Sequence, residues 1–190
     1  MAEVDEKPGK VITGKVRMSY VHVFEPAAVE GSSDLKYSVC LLIPKTDKVT
    51  IGKFNAAIEA IKASDSAKAT WGGKVPAGPA FKLPLRDGDL EKPDKEEYTG
   101  MMFVNANCSE KSKPGVVDKK GMPITDANDF YSGCWGRASV NLFAFNKNGN
   151  KGIACGLNNL MKLEDDTALA GKSSASEDFK EFFEGDSMFE

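Results

Sequence analysis

The chain has 190 residues, 41% of them hydrophobic, with a formal net charge of −3. This length suits one domain with a full core and an appendage rather than two domains. No apolar run approaches the roughly 20 residues of a membrane helix, so no membrane partner is expected. The charged start MAEVDEKPGK lacks the apolar segment of a secretory signal, and the expected compartment is a cytoplasm.

The charge is polarised along the chain. Residues 1–163 hold 23 Lys+Arg against 19 Asp+Glu, a net +4, and residues 164–190 hold 2 against 9, a net −7. The expected division is a mildly basic body over 1–163 and an acidic, disordered tail over 164–190. Such a body suits an anionic partner, and such a tail either competes with that partner, recruits other proteins or merely keeps the chain soluble. Cys40, Cys108, Cys134 and Cys155 form no C-x-x-C pair and His22 is the single histidine, so reduced thiols are expected, with no metal and no cofactor.

Taken in chain order, residues 11–24 alternate as one long strand. Ile12, Val16, Met18, Tyr20, His22 and Phe24 form its inward row, Gly14 marks a bulge and Pro26 marks the end. Residues 35–43 read as a second, well-buried strand closed by Pro44. From Thr50 to about Ser64 the period becomes helical, with Ile51, Phe54, Ala57, Ile58 and Ile61 on one stripe. Residues 65–98, rich in Gly and Pro, show no sustained period and read as one long irregular segment carrying Phe81, Lys82 and Arg86. Residues 101–107 predict another strand, with Phe103, Asn105 and Asn107 on one face. Residues 134–145 and 153–163 predict a hairpin, with its turn at Asn148-Gly149.

The stretch CWGRASVNLFAF has two unequal faces. One row is Cys134, Gly136, Ala138, Val140, Leu142 and Ala144, and the other is Trp135, Arg137, Ser139, Asn141, Phe143 and Phe145. About five strands with one helix predict a mainly β chain with an OB-fold-like small closed barrel, long irregular loops and a flexible acidic tail; the alternative is an open α+β sheet. Inside a small barrel only the small row fits, which turns the aromatic row outward. Rings that stack bases beside cations that meet phosphates are the equipment of a sequence-tolerant single-strand binder. On this reading Trp135, Arg137, Phe143, Phe145, Phe103, Arg86, Lys15, Arg17, Lys147 and Lys151 are the candidate DNA contacts. The alternative is that the rings pack beneath a loop or helix. In the tail, Phe179, Phe182, Phe183 and Phe189 among acidic residues suit docking in basic, apolar pockets of partner proteins, lying in the body's own groove, or packing on the body as a short helix.

Taken together, LPLRDGD, KPGVVDKKGMPI, YSGCWGRASVNLFAFNKNGNKGIACGLNNLMKLED and SSASEDF resemble a family of phage-encoded single-stranded DNA-binding proteins, across about residues 10–180 and most strongly over 131–165. The resemblance implies an OB-fold, binding of single-stranded DNA in phage replication or recombination within the infected bacterial cytoplasm, and an acidic tail. Tyr131, Arg137, Asn141, Phe143, Asn158 and Asn159 match its motif. The chain departs from bacterial single-strand binders at its end, where Phe189 is followed by Glu190. Two other readings stay open: a virion structural or adaptor protein, and a metal-dependent nuclease using Asp87, Asp89, Asp118, Asp126 or Asp129.

Overall fold

A computed structural model describes residues 8–28, 32–169 and 179–182. The single strand predicted over 11–24 is two, β1 (Lys10–Ile12) and β2 (Val16–Ala28). The break falls at Gly14, whose backbone N–H donates to Thr50 Oγ1 at 2.9 Å. A Cβ at Gly14 would lie 3.0 Å from both the Asp47 carboxylate and the Thr50 hydroxyl. The break reverses the inward row, so that Val11 and Thr13 are buried while Ile12 is 50% exposed. A second irregularity follows at Tyr20, whose φ of 46° lies in the left-handed region, between the register pairs of Ser19 and His22. It turns Tyr20 and His22 outward, so His22 is not a core histidine. Pro26 does not end β2 either. Beyond Arg17 the strand pairs only with β3 (Leu35–Pro44), and an edge without ladder bonds tolerates proline.

Helix α1 (Lys48–Ala63) begins where Asp47 caps the Thr50 N–H, and it turns Phe54, Ala57 and Ile58 into the core. The stretch read as wholly irregular contains α2 (Asp65–Thr70), β4 (Arg86–Asp87) and α3 (Gly88–Glu91), so the described residues hold three α-helices rather than one. Both added helices are too short to impose a hydrophobic period. What holds α2 is tertiary: the following Trp71 is buried, its indole N–H donates to Gly152 O at 3.1 Å, and Phe81 meets its ring edge-on at 5.2 Å.

The remaining strands are β5 (Met101–Ser109), β6 (Gly115–Val117), β7 (Trp135–Lys147) and β8 (Asn150–Glu164). The β7–β8 turn places Asn148 at φ 53° and Gly149 at φ 80°, as an Asn-Gly hairpin requires. Strands β7, β2, β3 and β5 are antiparallel neighbours in that order. β8 pairs with β7 along its length and meets β5 in parallel at Asn107–Gly156, closing a mainly β, OB-fold-like ring of five strands whose last joint is brief. The interior is narrow. Gly136, Ala138, Val140 and Leu142 face it, and a Cβ on Gly136 would come within 3.0 Å of the buried Met18 Cε.

The folded body does not stop at residue 163. Glu164 completes β8, and the chain stays on the body as far as Leu169, whose N–H donates to Ser132 O at 2.9 Å. Phe54 is the largest fully buried side chain of α1. Phe54→Ala should lower stability in urea denaturation by about 3–5 kcal/mol with an unchanged slope.

Candidate nucleic-acid interface

The outer faces of β2, β3 and β5 form the floor of a groove of about 530 Å³. Its rows follow from strand register: His22 pairs with Ser38 and Ser38 with Asn107, and on the next level Cys40 pairs with Asn105. The walls are cationic. Arg86 on β4, Lys92 and Lys95 beyond α3, and Tyr20 on β2 line the groove. The Lys95 ammonium donates to the Tyr20 hydroxyl and lies 5.1 Å from the ring centroid, a contact that holds the ammonium pKa above its usual value. Arg86 forms a bidentate pair with Glu91, at 2.7–3.0 Å. Among the described residues, neither Lys92 nor Lys95 has a carboxylate within ion-pair distance. Cys40 in the floor is inert, because burial pushes its thiol up to about 11.

Phe103 is not available for stacking. It shares the outward face of Asn105, as predicted, but is 1% exposed beneath Arg86, at 4.9 Å, and edge-on to Tyr98 at 5.1 Å. It supports the groove from below. A larger depression of about 610 Å³ lies along β2 beyond Tyr20, but it pairs one lysine, Lys113, with one carboxylate, Glu25, and is less suited to a polyanion.

The aromatic row of β7 does face outward. Phe143 is 48% exposed and packs over Gly156, and Phe145 is half-buried over Gly152, so each ring covers a cross-strand glycine. Arg137 is exposed, and its guanidinium reaches toward Thr13 O at 3.4 Å. Trp135 sits at the junction with β2, its ring 5.2 Å from the Lys15 ammonium and 6.0 Å from the Arg17 guanidinium. The chain following β8 covers this cluster. Glu164 pairs with Lys15 at 2.6 Å, Asp166 accepts from the Trp135 indole at 2.8 Å, and Arg17 donates to Thr167 O at 2.8 Å. Lys147 is exposed at the hairpin tip, whereas Lys151 donates to Trp71 O at 2.8 Å and serves the end of α2.

The structure thus divides the predicted contacts. Arg86 lies in the groove, Phe103 beneath it, Lys15, Arg17 and Trp135 under the post-β8 segment, and Arg137, Phe143 and Phe145 on the β7 face. Sequence reasoning missed Tyr20, Lys92, Lys95, Asn105 and Asn107 as groove lining; the signal available was the amide pair sharing a face beside a lysine-rich loop. Of the candidate metal-binding acids, Asp87 and Asp89 converge on Lys45 at 2.8 and 2.6 Å, while Asp118 and Asp126 accept backbone N–H groups within turns. Among the described residues no three His, Cys, Asp or Glu gather as a metal site needs. Phe179 precedes and Phe182 ends a short 3-10 turn, and both are exposed; Phe183 and Phe189 lie outside the described residues.

A five-strand ring with a parallel closure, bearing a cationic groove on its outer face, defines an OB-fold-like protein of the polyanion-facing kind. The chain belongs to the family described as the ssDNA-binding protein of Enterobacter phage Enc34, which matches residues 9–189. Protein p50 of Acyrthosiphon pisum secondary endosymbiont phage 1 is 31% identical over 176 residues, 88% of this chain and 90% of its own length. The single-stranded DNA-binding protein of bacteriophage Enc34, solved in complex with ssDNA, is 28% identical with a TM-score of 0.73, over 86% of this chain and 91% of that one. The fold is also that of gp2.5, a single-stranded DNA binding protein encoded by bacteriophage T7, with a TM-score of 0.59 and 18% identity over 93% of this chain and 95% of that one.

The post-β8 contacts give a pH signature. The Trp135 N–H holds the Asp166 carboxyl below its usual range, and the Lys162 ammonium does the same for Asp165. Depressed carboxyl values mean that the contacts are complete above the ordinary aspartate range and are lost as the pH falls through the lowered values. Trp71 is buried, so a change in tryptophan emission would report Trp135. Emission should stay constant between about pH 8 and about pH 5 and change only below about pH 4.

Proposed function

We propose that this protein binds single-stranded DNA without sequence selection during phage DNA replication or recombination, in the cytoplasm of the infected bacterium, and that the groove across β2, β3 and β5 is its main contact surface. The observation that carries this reading is the grouping of an exposed ring, Tyr20, with two cations that have no carboxylate partner among the described residues, Lys92 and Lys95, over a polar floor. The ring offers a stacking platform to any base and the ammonium groups meet phosphates, so base identity is not read. Tyr20 has a left-handed backbone that an ordinary strand residue avoids, and the bulge around it aims the side chain into the groove.

Family membership and the similarity to the Enc34 protein solved with ssDNA support the same reading. No bond is made or broken: the protein coats a strand and needs no cofactor. The acidic C-terminal segment, with Phe179 and Phe182 exposed, provides a region that competes for the groove cations or docks to a protein partner.

Two measurements test the groove. Tyr20→Ala should weaken binding of an oligo-dT by about 1–3 kcal/mol, the usual value of one base stack, with the melting profile unchanged. Replacing Lys92 and Lys95 together by alanine should reduce the slope of log K against log salt by roughly 1.4, since each phosphate contact on a single strand contributes about 0.7. Unchanged affinity and slope in these variants would move the contact surface elsewhere.

A further inference from the structure

The segment that follows β8 behaves as a strap. Its carboxylates lie on cations: Glu164 on Lys15 at 2.6 Å, Asp165 on Lys162 at 2.7 Å, and Asp166 near Arg17 at 3.6 Å and on the Trp135 indole at 2.8 Å. It has a dedicated seat. A Cβ on Gly133 would fall 2.2 Å from Thr167 O, so only glycine lets the strap lie this close. At its far end Leu169 packs against the cluster of Cys40, Leu42, Tyr98 and Phe103, which supports the groove. The strap therefore crosses the outer face from the β7 side to the groove rim.

Beneath it lies a ring flanked by cations, Trp135 with Lys15 and Arg17, the same chemistry as Tyr20 with Lys95. The two sites share a strand: Arg17 and Tyr20 are three residues apart on β2, roughly 10 Å at strand rise. We propose that Lys15, Arg17 and Trp135 form a second single-strand subsite, closed at rest by the carboxylates of residues 164–166, which stand where backbone phosphates would. The inference rests on the groove reading, because the groove delivers the strand to this subsite. A strand held there presents its next phosphates at high effective concentration, and the Lys15–Glu164 pair at the start of the strap is exposed and individually weak. Short strands occupy the groove alone; longer ones lift the strap and stack a base on Trp135, giving the protein two binding modes.

The test uses the full chain, a series of dT oligomers from about 4 to about 30 nucleotides, and tryptophan emission read alongside anisotropy. Short oligomers should bind without changing emission, and above a threshold length emission should be quenched. A Trp135→Phe variant should lose that quench. In Glu164→Gln/Asp165→Asn/Asp166→Asn the threshold should shorten and long oligomers bind about tenfold tighter, with short ones unaffected. Lys15→Gln, which leaves the carboxylates in place, should weaken long oligomers alone. Emission indifferent to oligomer length, or a neutralised strap that changes melting temperature but no affinity, would overturn the second subsite and leave the strap a structural clasp. Failure of the groove reading looks different: Tyr20→Ala would then leave short-oligomer affinity intact.

Discussion

The width of the five-strand ring governs how this molecule presents itself. Enclosing a core within so few strands leaves room for glycine, alanine and modest aliphatic side chains along β7, and the buried Met18 methyl, 3.0 Å from where a Gly136 Cβ would stand, shows how little space remains. Every large or charged side chain on that strand is consequently forced outward, where Phe143 and Phe145 cover glycines of β8 and Trp135 and Arg137 meet the start of β2. A second face, built by β2, β3 and β5, becomes a polar floor because the same alternation sends Val39, Leu41, Val104 and Ala106 inside.

Charge then decides what these faces can meet. Of the groove cations, Arg86 is engaged by Glu91, as Lys45 beside it is by Asp87 and Asp89. Lys92 and Lys95 are left to set the local potential, and Tyr20 is positioned by one of them. Exposed ion pairs are worth little to stability, so this arrangement is better understood as positioning than as reinforcement. The modest net charge of −3 conceals it, since an acidic C-terminal segment offsets a basic body.

The strap connects the two faces. It begins as the last residue of β8, crosses Trp135 and Arg17, and ends beside the cluster that supports the groove. Trp135, Lys15 and Arg17 are thus neither free surface nor core: they are a cationic, aromatic cluster covered by the chain's own carboxylates.

By itself the sequence determined the fold class, the buried strand 35–43, the amphipathic helix after Thr50, the Asn-Gly hairpin and the inward row of β7, because each is a local period or a local turn preference. It also carried the family in the motifs of residues 131–165. Only the tertiary structure decided which outward residues are usable. Phe103 alternates correctly yet is sealed by Arg86 and Tyr98, and Lys151 is drawn to the Trp71 carbonyl. Tyr20 and His22 sit in an apparently inward row until a left-handed residue and a register shift turn them outward. A short helix held by one buried tryptophan, and a strap seated on a single glycine, depend on contacts between residues far apart in sequence, which periodicity along one segment does not encode.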